Sequence, residues 1–508
     1  MRAVDVRWTT AYRLMSLLAL AMSVTSAVLL TAIYVTSENV TLGGQEQNVI
    51  FGIQTLLLGE GLYRDPAIPP FVITQYTPIF YQVCAAICRL FGLRPDQIRE
   101  IYMISRLVSA VASLGCCLIV YKLLKRHTAL DRTMQLALAF FFPLSIDPWS
   151  FNARPDPLYL LFIAAAFLAA MDYAKTARVR MLVVSALLLM AGFYTKQTAM
   201  FFFPLPFAIG IARNGWRALS PRDIAFCVAI DIAGLVFLNG AIAKNFAIGL
   251  ANGIDLGYAA NDVYLPALRQ HIPLLAAAAI GCWLAARRGA WESRAIIVST
   301  SMFLCVGAGL ALKWGSSTNY FDEFFIGCLL LTGAGLSLIV PSGSRSGRTI
   351  ALILVGLVIV GQADTIRRSR GRLASALIPR EQLYQIGYAL AAAPELRGQR
   401  ILVLDFTSML FVPERAVFTP LEVLGSSALT GFFDLNLLTK LIKEKELCFA
   451  VTDEFVFSHM AGNAPSYESW NAWMRTVGPT LLANFEVRRT IGSRILLISK
   501  CCLPGPGQ

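Results

Sequence analysis

The sequence predicts a polytopic α-helical membrane protein, on three observations. Apolar residues make up 56% of the 508 and charged residues only 15%, against roughly 45–50% and about 25% in soluble domains. The mean hydropathy is +0.61. Apolar stretches recur along the first two thirds of the chain, each near the roughly 20 residues that cross a bilayer as helix.

The first span is 14–34. It is long enough to cross, and no small-residue cleavage site follows it, so it reads as a span and not as a removable leader. Further spans fall near 101–121, 134–151, 157–173, 181–195, 198–213, 223–243, 271–286, 295–312, 321–340 and 349–365, about eleven in all. The stretch 77–91 (TPIFYQVCAAICRLF) is also apolar, and charge arbitrates. If it does not cross, one side receives Arg2, Arg7 and Arg13, then Lys122, Lys125, Arg126 and Arg132. The same side then takes Lys175, Arg178 and Arg180, Arg213, Arg217 and Arg222, Arg287, Arg288 and Arg294, and Arg345 and Arg348. The other side holds isolated cations. Short basic loops face the cytoplasm. The stretch 77–91 is therefore expected to be a juxtamembrane helix inside a first outer loop, 35–100. The C-terminus then lies outside.

Residues 1–365 are expected to form the membrane domain, and 366–508 a small α/β domain outside it. RILVLDF (400–406) and LCFAVTD (447–453) read as buried strands, LNLLTKLIKEKE as an amphipathic helix, and RTIGSRILLIS as a hairpin. The net charge of +13 goes to the inward loops, so nucleic acid is not expected as a partner. The cysteines lack metal-ligand spacing and read as small apolar filler. The three histidines, His127, His271 and His459, lie far apart. No metal site is expected from the residues, no cofactor is assigned, and a divalent-metal requirement is left open.

With this topology the polar residues at span ends collect on the outer rim. Glu46 sits in the first outer loop after Gly43 and Gly44, in what reads as the first turn of a helix where amide donors favour an anion. A solvated acid on an amphipathic helix is the plainer alternative. Tyr63 and Tyr76 lie in the same loop. Arg106, one turn into a span, either snorkels to headgroups or binds a phosphate. Arg154 and Asp156 sit in NARPDPLYLLF, where two prolines keep the flanking helices apart. Lys196 and Gln197 occupy a short turn between apolar spans, and an anionic lipid phosphate would account for the lysine. LKWGSSTNYFDEFFIG adds Lys313, Asn319, Tyr320, Asp322 and Glu323. The helix dipole accounts for the two acids, but not for the amide and phenol, which suit sugar hydroxyls.

These strings together resemble the GT-C superfamily of integral-membrane glycosyltransferases, such as protein O-mannosyltransferases and lipid A aminoarabinose transferases. The resemblance rests on the acid early in the first outer loop, GEGLYRDP followed by QYTPIFYQ and LFG, then Arg106, ARPDPL, TKQT and GSSTNYF, in that order and on one side. It implies a GT-C arrangement of the spans. It also implies a polyprenyl-phosphate-linked sugar as donor and a glycan, lipid or protein hydroxyl as acceptor, with transfer at the outer face. By this resemblance Glu46 acts as base or orients the acceptor, although many members carry an Asp-Glu pair where this chain has Gln45–Glu46. Asp156 lies where members often carry a second acid, and is the second catalytic residue the resemblance implies. Arg106, Arg154, Lys196 and Gln197 would bind the donor phosphate. Tyr63, Tyr76, Lys313, Asn319 and Tyr320 would bind sugar or acceptor. A bacterial inner membrane is the expected setting, with membrane lipids as partners and a periplasmic C-terminal domain. The competing class is a transporter or lipid-linked-sugar flippase. No internal repeat is visible and the charges gather at one rim, which disfavours it.

Overall fold

The computed structural model describes residues 2–40, 46–215, 220–236, 238, 240–250, 253–288, 290–342, 344–417, 428, 431, 433–444, 446–460 and 473–502. The chain divides into two compact units, one of residues 1–36, 106–237 and 254–377, the other of 37–105, 238–253 and 378–508.

The first unit is helical. Among the described residues, seven helices are long and apolar enough to cross a membrane: Trp8–Thr36, Ile98–His127, Asp156–Thr176, Leu256–Arg287, Trp291–Ala311, Thr318–Ile339 and Arg345–Leu377. Each overlays an expected span. The other four expected spans are occupied by shorter helices. Arg132–Ser145 has 14 residues with Pro143 inside it, and Val179–Phe193 has 15. A 3₁₀ turn at Gln197–Phe202 precedes the 10-residue Leu205–Asn214, and Pro221–Leu235 has 15 residues.

Along the Ile98–His127 helix, Leu107, Val111, Leu114 and Leu118 are exposed. Their three- and four-residue spacing makes one apolar stripe. Such a stripe is unfavourable in water and at home against lipid. The opposite need, to join helices inside the bundle, is met by buried polar contacts. Asp131 caps the Arg132–Ser145 helix by accepting from the Met134 amide at 3.1 Å, and it also accepts from the Tyr12 hydroxyl at 2.7 Å. Ser23 donates to the Ala137 carbonyl at 3.0 Å and accepts from Gln362 at 2.6 Å. These bonds lash Arg2–Thr36, Arg132–Ser145 and Arg345–Leu377 together, each contributing on the order of 0.6 kcal/mol in a membrane. Elsewhere helices meet through glycine. A Cβ on Gly335 would lie 2.5 Å from the Gly281 Cα, and one on Gly281 would lie 2.2 Å from the Leu331 carbonyl oxygen. The Leu265–Arg288 and Asp322–Ile339 helices thus cross backbone on backbone.

The second unit carries the first loop and the C-terminal sheet. The apolar stretch 77–91 forms the 12-residue helix Ile79–Leu90, about 18 Å long at 1.5 Å per residue, against the roughly 30 Å of a hydrocarbon core. Among the described residues the sheet has five strands, β1 (Ile401–Val403), β2 (Ala416–Val417), β3 (Phe449–Asp453), β4 (Phe485–Ile491) and β5 (Arg494–Ser499). Their order is β2-β1-β3-β5-β4. β1 runs parallel to β2 and β3, whereas β3–β5 and β4–β5 are antiparallel. Gly492, at φ +59°, turns the β4–β5 hairpin, a conformation open to glycine at little cost. The amphipathic segment is the helix Asn436–Lys443, with Leu438, Leu441 and Ile442 buried. Leu402, Leu404, Ala450, Trp473 and Leu497 belong to one core.

One reading is corrected here. Cys448 and Cys502 are not filler: they form a disulfide with Cα atoms 5.6 Å apart. The boundary expected at 365 falls inside the Arg345–Leu377 helix, and the second unit takes up the chain again at 378.

Candidate active site

Three turns of the first unit bring polar side chains into its interior. The turn 151–155 ends at Asp156, the first residue of the Asp156–Thr176 helix. Pro157 follows in the first turn, where its missing amide hydrogen is no loss. The second turn holds Lys196 in extended backbone at φ −150°, just before the 3₁₀ segment Gln197–Phe202. The third is the 3₁₀ segment Thr318–Phe321, just before the Asp322–Ile339 helix.

Asp156 is the hub. Its Oδ1 accepts from Lys196 Nζ at 2.7 Å and from Asn319 Nδ2 at 2.6 Å, and its Oδ2 accepts from Arg154 Nε at 3.1 Å. Asp156 is 1% exposed, Lys196 3%, Asn319 5% and Arg154 9%. Burying such charges costs several kcal/mol per ion, and close pairing with additional hydrogen bonds is what offsets it. Two cations against one carboxylate leave these three residues with a net charge of +1. Aromatic rings line it. Lys196 Nζ lies 5.4 Å from the Tyr159 ring centre and 5.0 Å from that of Tyr320, and the Arg154 guanidinium lies 4.8 Å over Trp149. Trp149 in turn donates to Thr318 at 3.3 Å, and Ser109 donates to the Arg154 carbonyl at 3.1 Å.

The structure therefore joins Arg154, Asp156, Lys196, Asn319 and Tyr320. Gln197 is buried beside Lys196. Lys313 is half-buried in the turn before Thr318. Burial, then the neighbouring Lys196 charge, push its amine down to about 8. Arg106 does not snorkel. It is fully buried and donates to the Tyr34 carbonyl at 3.4 Å. Asp322 and Glu323 are buried at the head of their helix, and both Asp322 oxygens lack a hydrogen-bond partner among the described residues.

The remaining expected residues belong to the second unit. Glu46 is the first residue of the helix Glu46–Leu57 and is fully buried. Gly43, Gly44 and Gln45 lie outside the described residues. Tyr63 donates to the Tyr76 carbonyl at 2.9 Å, and burial pushes its phenol upward.

Trp149 and Tyr159 were missed in the sequence. Tyr159 had a usable signal, since it stands three residues after Asp156 and shares its helix face. Trp149 had none beyond being aromatic near ARPDPL. Among the described residues no group of three or more His, Cys, Asp or Glu side chains is placed to hold a metal ion.

Residues 75–239 match the family model for dolichyl-phosphate-mannose-protein mannosyltransferase. No curated protein matches the chain in sequence. Among solved structures, ArnT from Cupriavidus metallidurans bound to undecaprenyl phosphate matches with a TM-score of 0.61 at 13% identity, covering 96% of this chain and 99% of that one. The same protein in the apo state matches with a TM-score of 0.58 at 12% identity, covering 94% and 97%. The apo oligosaccharyltransferase of Archaeoglobus fulgidus also gives 0.58 at 12% identity, covering 94% of this chain and 73% of that one. The chain thus has the fold of the GT-C integral-membrane glycosyltransferases, and over residues 75–239 it matches a mannosyltransferase family model.

Proposed function

We propose that the chain is a glycosyltransferase that moves a sugar from a polyprenyl-phosphate donor to a hydroxyl acceptor on a glycan, lipid or protein at the outer face of the membrane. The observation that carries this reading is the buried Arg154–Asp156–Lys196–Asn319 set within a GT-C fold. A net cation held by its own carboxylate suits a leaving phosphate, because its position is fixed before the reaction begins.

In this mechanism Glu46 takes the proton of the acceptor hydroxyl. The hydroxyl oxygen then attacks the anomeric carbon, and the carbon–oxygen bond to the phosphate breaks. The phosphate leaves with the bonding electrons and is met by Lys196 and Arg154. Asp156 orients these two cations through its three bonds. Gln197 and Arg106 add a hydrogen bond and positive charge toward the donor phosphate. Lys313, Asn319, Tyr320, Tyr63 and Tyr76 hold sugar or acceptor. Exclusion of water keeps hydrolysis from competing.

The proposal includes about eleven spans, a membrane domain over 1–365 and an extracytoplasmic domain over 366–508. It places the protein in a bacterial inner membrane, with the N-terminus inside and the C-terminal domain in the periplasm. The Cys448–Cys502 disulfide supports that side, since disulfides persist in oxidising compartments and are rare in the cytosol.

The test is transfer by the purified full-length protein in lipid nanodiscs, supplied with polyprenyl-phosphate sugar and an envelope extract. Glu46→Gln is expected to abolish transfer while leaving expression and donor binding intact. A fully active Glu46→Gln protein would remove this mechanism.

A further inference from the structure

The second unit contains two neighbouring cavities that the scheme above does not use. The larger, about 390 Å³, lies between the turn Arg94–Asp96 of the first loop and the segment Phe411–Arg415. The smaller, about 140 Å³, is lined by Glu60, Arg64 and Arg400 among others. The segment Pro413–Arg415 lines both, so one turn forms the wall between them. The larger volume falls in the range of small-molecule sites, roughly 300–1,000 Å³.

The walls are held in place. Gln54 donates to the Pro95 carbonyl at 2.7 Å and to the Leu410 carbonyl at 2.8 Å, tying both sides of the larger cavity to the Glu46–Leu57 helix. Arg415 donates to the Leu396 and Ala391 carbonyls at 2.6 and 3.0 Å. Its amide and that of Ala416 both donate to the Val412 carbonyl, at 3.0 and 2.9 Å, which closes the dividing turn. Phe411 is fixed against Tyr388 in an edge-on contact, with ring centres 5.3 Å apart.

The charges divide into spent and free. Arg94 pairs with Asp96 at 3.1 Å, and Arg64 pairs with Glu60. Arg415 is engaged with carbonyls. That leaves Glu414 at the tip of the dividing turn and Arg400 in the smaller cavity. Both are exposed, and neither has a hydrogen-bond or ion-pair partner among the described residues. Four arginines against three acids leave the lining at +1, but the two groups without a partner are opposite in sign, so a ligand that engages both must donate as well as accept hydrogen bonds. A carboxylate that accepts from adjacent hydroxyls, a guanidinium that donates, and the half-buried rings of Pro95 and Pro413 for ring C–H faces are groups that suit a sugar.

We propose that these two cavities form a binding cleft for a neutral, polyhydroxylated saccharide, the acceptor glycan, gripped by Glu414 and Arg400. Its identification as acceptor rests on the transferase reading above; its saccharide chemistry rests on the cleft alone. GEGLYRDP, whose Glu60 and Arg64 line the smaller cavity, then helps to build acceptor recognition.

The experiment uses the full-length protein in nanodiscs with mannotetraose, maltotetraose and chitotetraose as separate probes, read by saturation-transfer NMR and titration. At least one tetrasaccharide is expected to bind. Glu414→Gln and Arg400→Ala are expected to weaken it about tenfold or more, the loss of one charge-assisted hydrogen bond. Both positions are exposed, so folding is retained, and donor binding is expected to be unchanged. No binding by any of the three sugars would overturn the inference. So would unchanged affinity in both variants, or binding only of inorganic phosphate or of a peptide. If the sugar binds yet wild-type protein transfers nothing, the function fails while the cleft stands. If transfer proceeds without cleft binding, the cleft alone fails.

Discussion

Replacing Asp156 by asparagine tests the central claim that one carboxylate holds the cationic set together. The substitution keeps shape and volume but removes the negative charge between Lys196 and Arg154. Their side chains are only 4% and 10% exposed, so neither cation can turn to water. Removing one partner of a buried ion pair costs about 3–5 kcal/mol, because the other charge is left uncompensated. The asparagine Oδ1 can still accept from one donor, so the lower half of that range, about 3 kcal/mol, is expected. Lys196→Met should cost less, because Arg154 and Asn319 still engage the acid. The double variant Asp156→Asn/Lys196→Met removes both charges of the 2.7 Å pair. It should fall short of the summed losses by a coupling of about 1.5 kcal/mol or more. The assay is a denaturant titration of purified protein in mild detergent, following tryptophan fluorescence, with all four proteins in parallel. Additive losses, or an Asp156→Asn protein as stable as wild type, would refute the claim that these side chains act as one unit.

Two further outcomes follow from single residues. The Lys313 amine is pushed down to about 8 from an ordinary 10.5, so it is charged below pH 8 and neutral above. Sugar-donor binding, measured by titration with a polyprenyl-phosphate sugar, should therefore weaken as pH rises through about 8, and Lys313→Arg should carry it to higher pH. The sign for stability is opposite. Between pH 8 and 10.5 the unfolded chain holds the extra proton, so Lys313 favours the fold more as pH rises through that window. A sugar-donor affinity flat from pH 7 to 10 would exclude Lys313 from the sugar site. Separately, Gly335→Ala forces a methyl group against the Gly281 backbone at 2.5 Å. It should cost about 1–3 kcal/mol or more, read as a lower melting midpoint in detergent, and an unchanged midpoint would contradict the close crossing.

The membrane frame and the region of the candidate site were legible in the sequence, for physical reasons that differ. Seven spans were legible because long apolar helices write themselves as uninterrupted hydropathy. The other four came out as shorter helices because a hydropathy window does not register breakers such as Pro143 and Pro204. Charge in short loops put Arg154, Lys196 and Asn319 on one rim, and their convergence was thus predictable as a region. The bond between Asn319 and Asp156 was not, since it joins residues 163 apart through a packing that no local pattern encodes. The Cys448–Cys502 link escaped for the same reason, being 54 residues apart with no repeating spacing. Strand β2 escaped because two residues are too few to show alternation.

The glycine crossing bears on how this helical frame can change. At Gly281 and Gly335 two helices touch without any intervening side chain, so the contact has no rotamers with which to absorb a shift. The head of the second helix, with Asn319 and Tyr320 just before it, is indexed by that contact. Sequence change would therefore be absorbed in loops and clefts, while this crossing stays a fixed datum with almost no slack to be tuned.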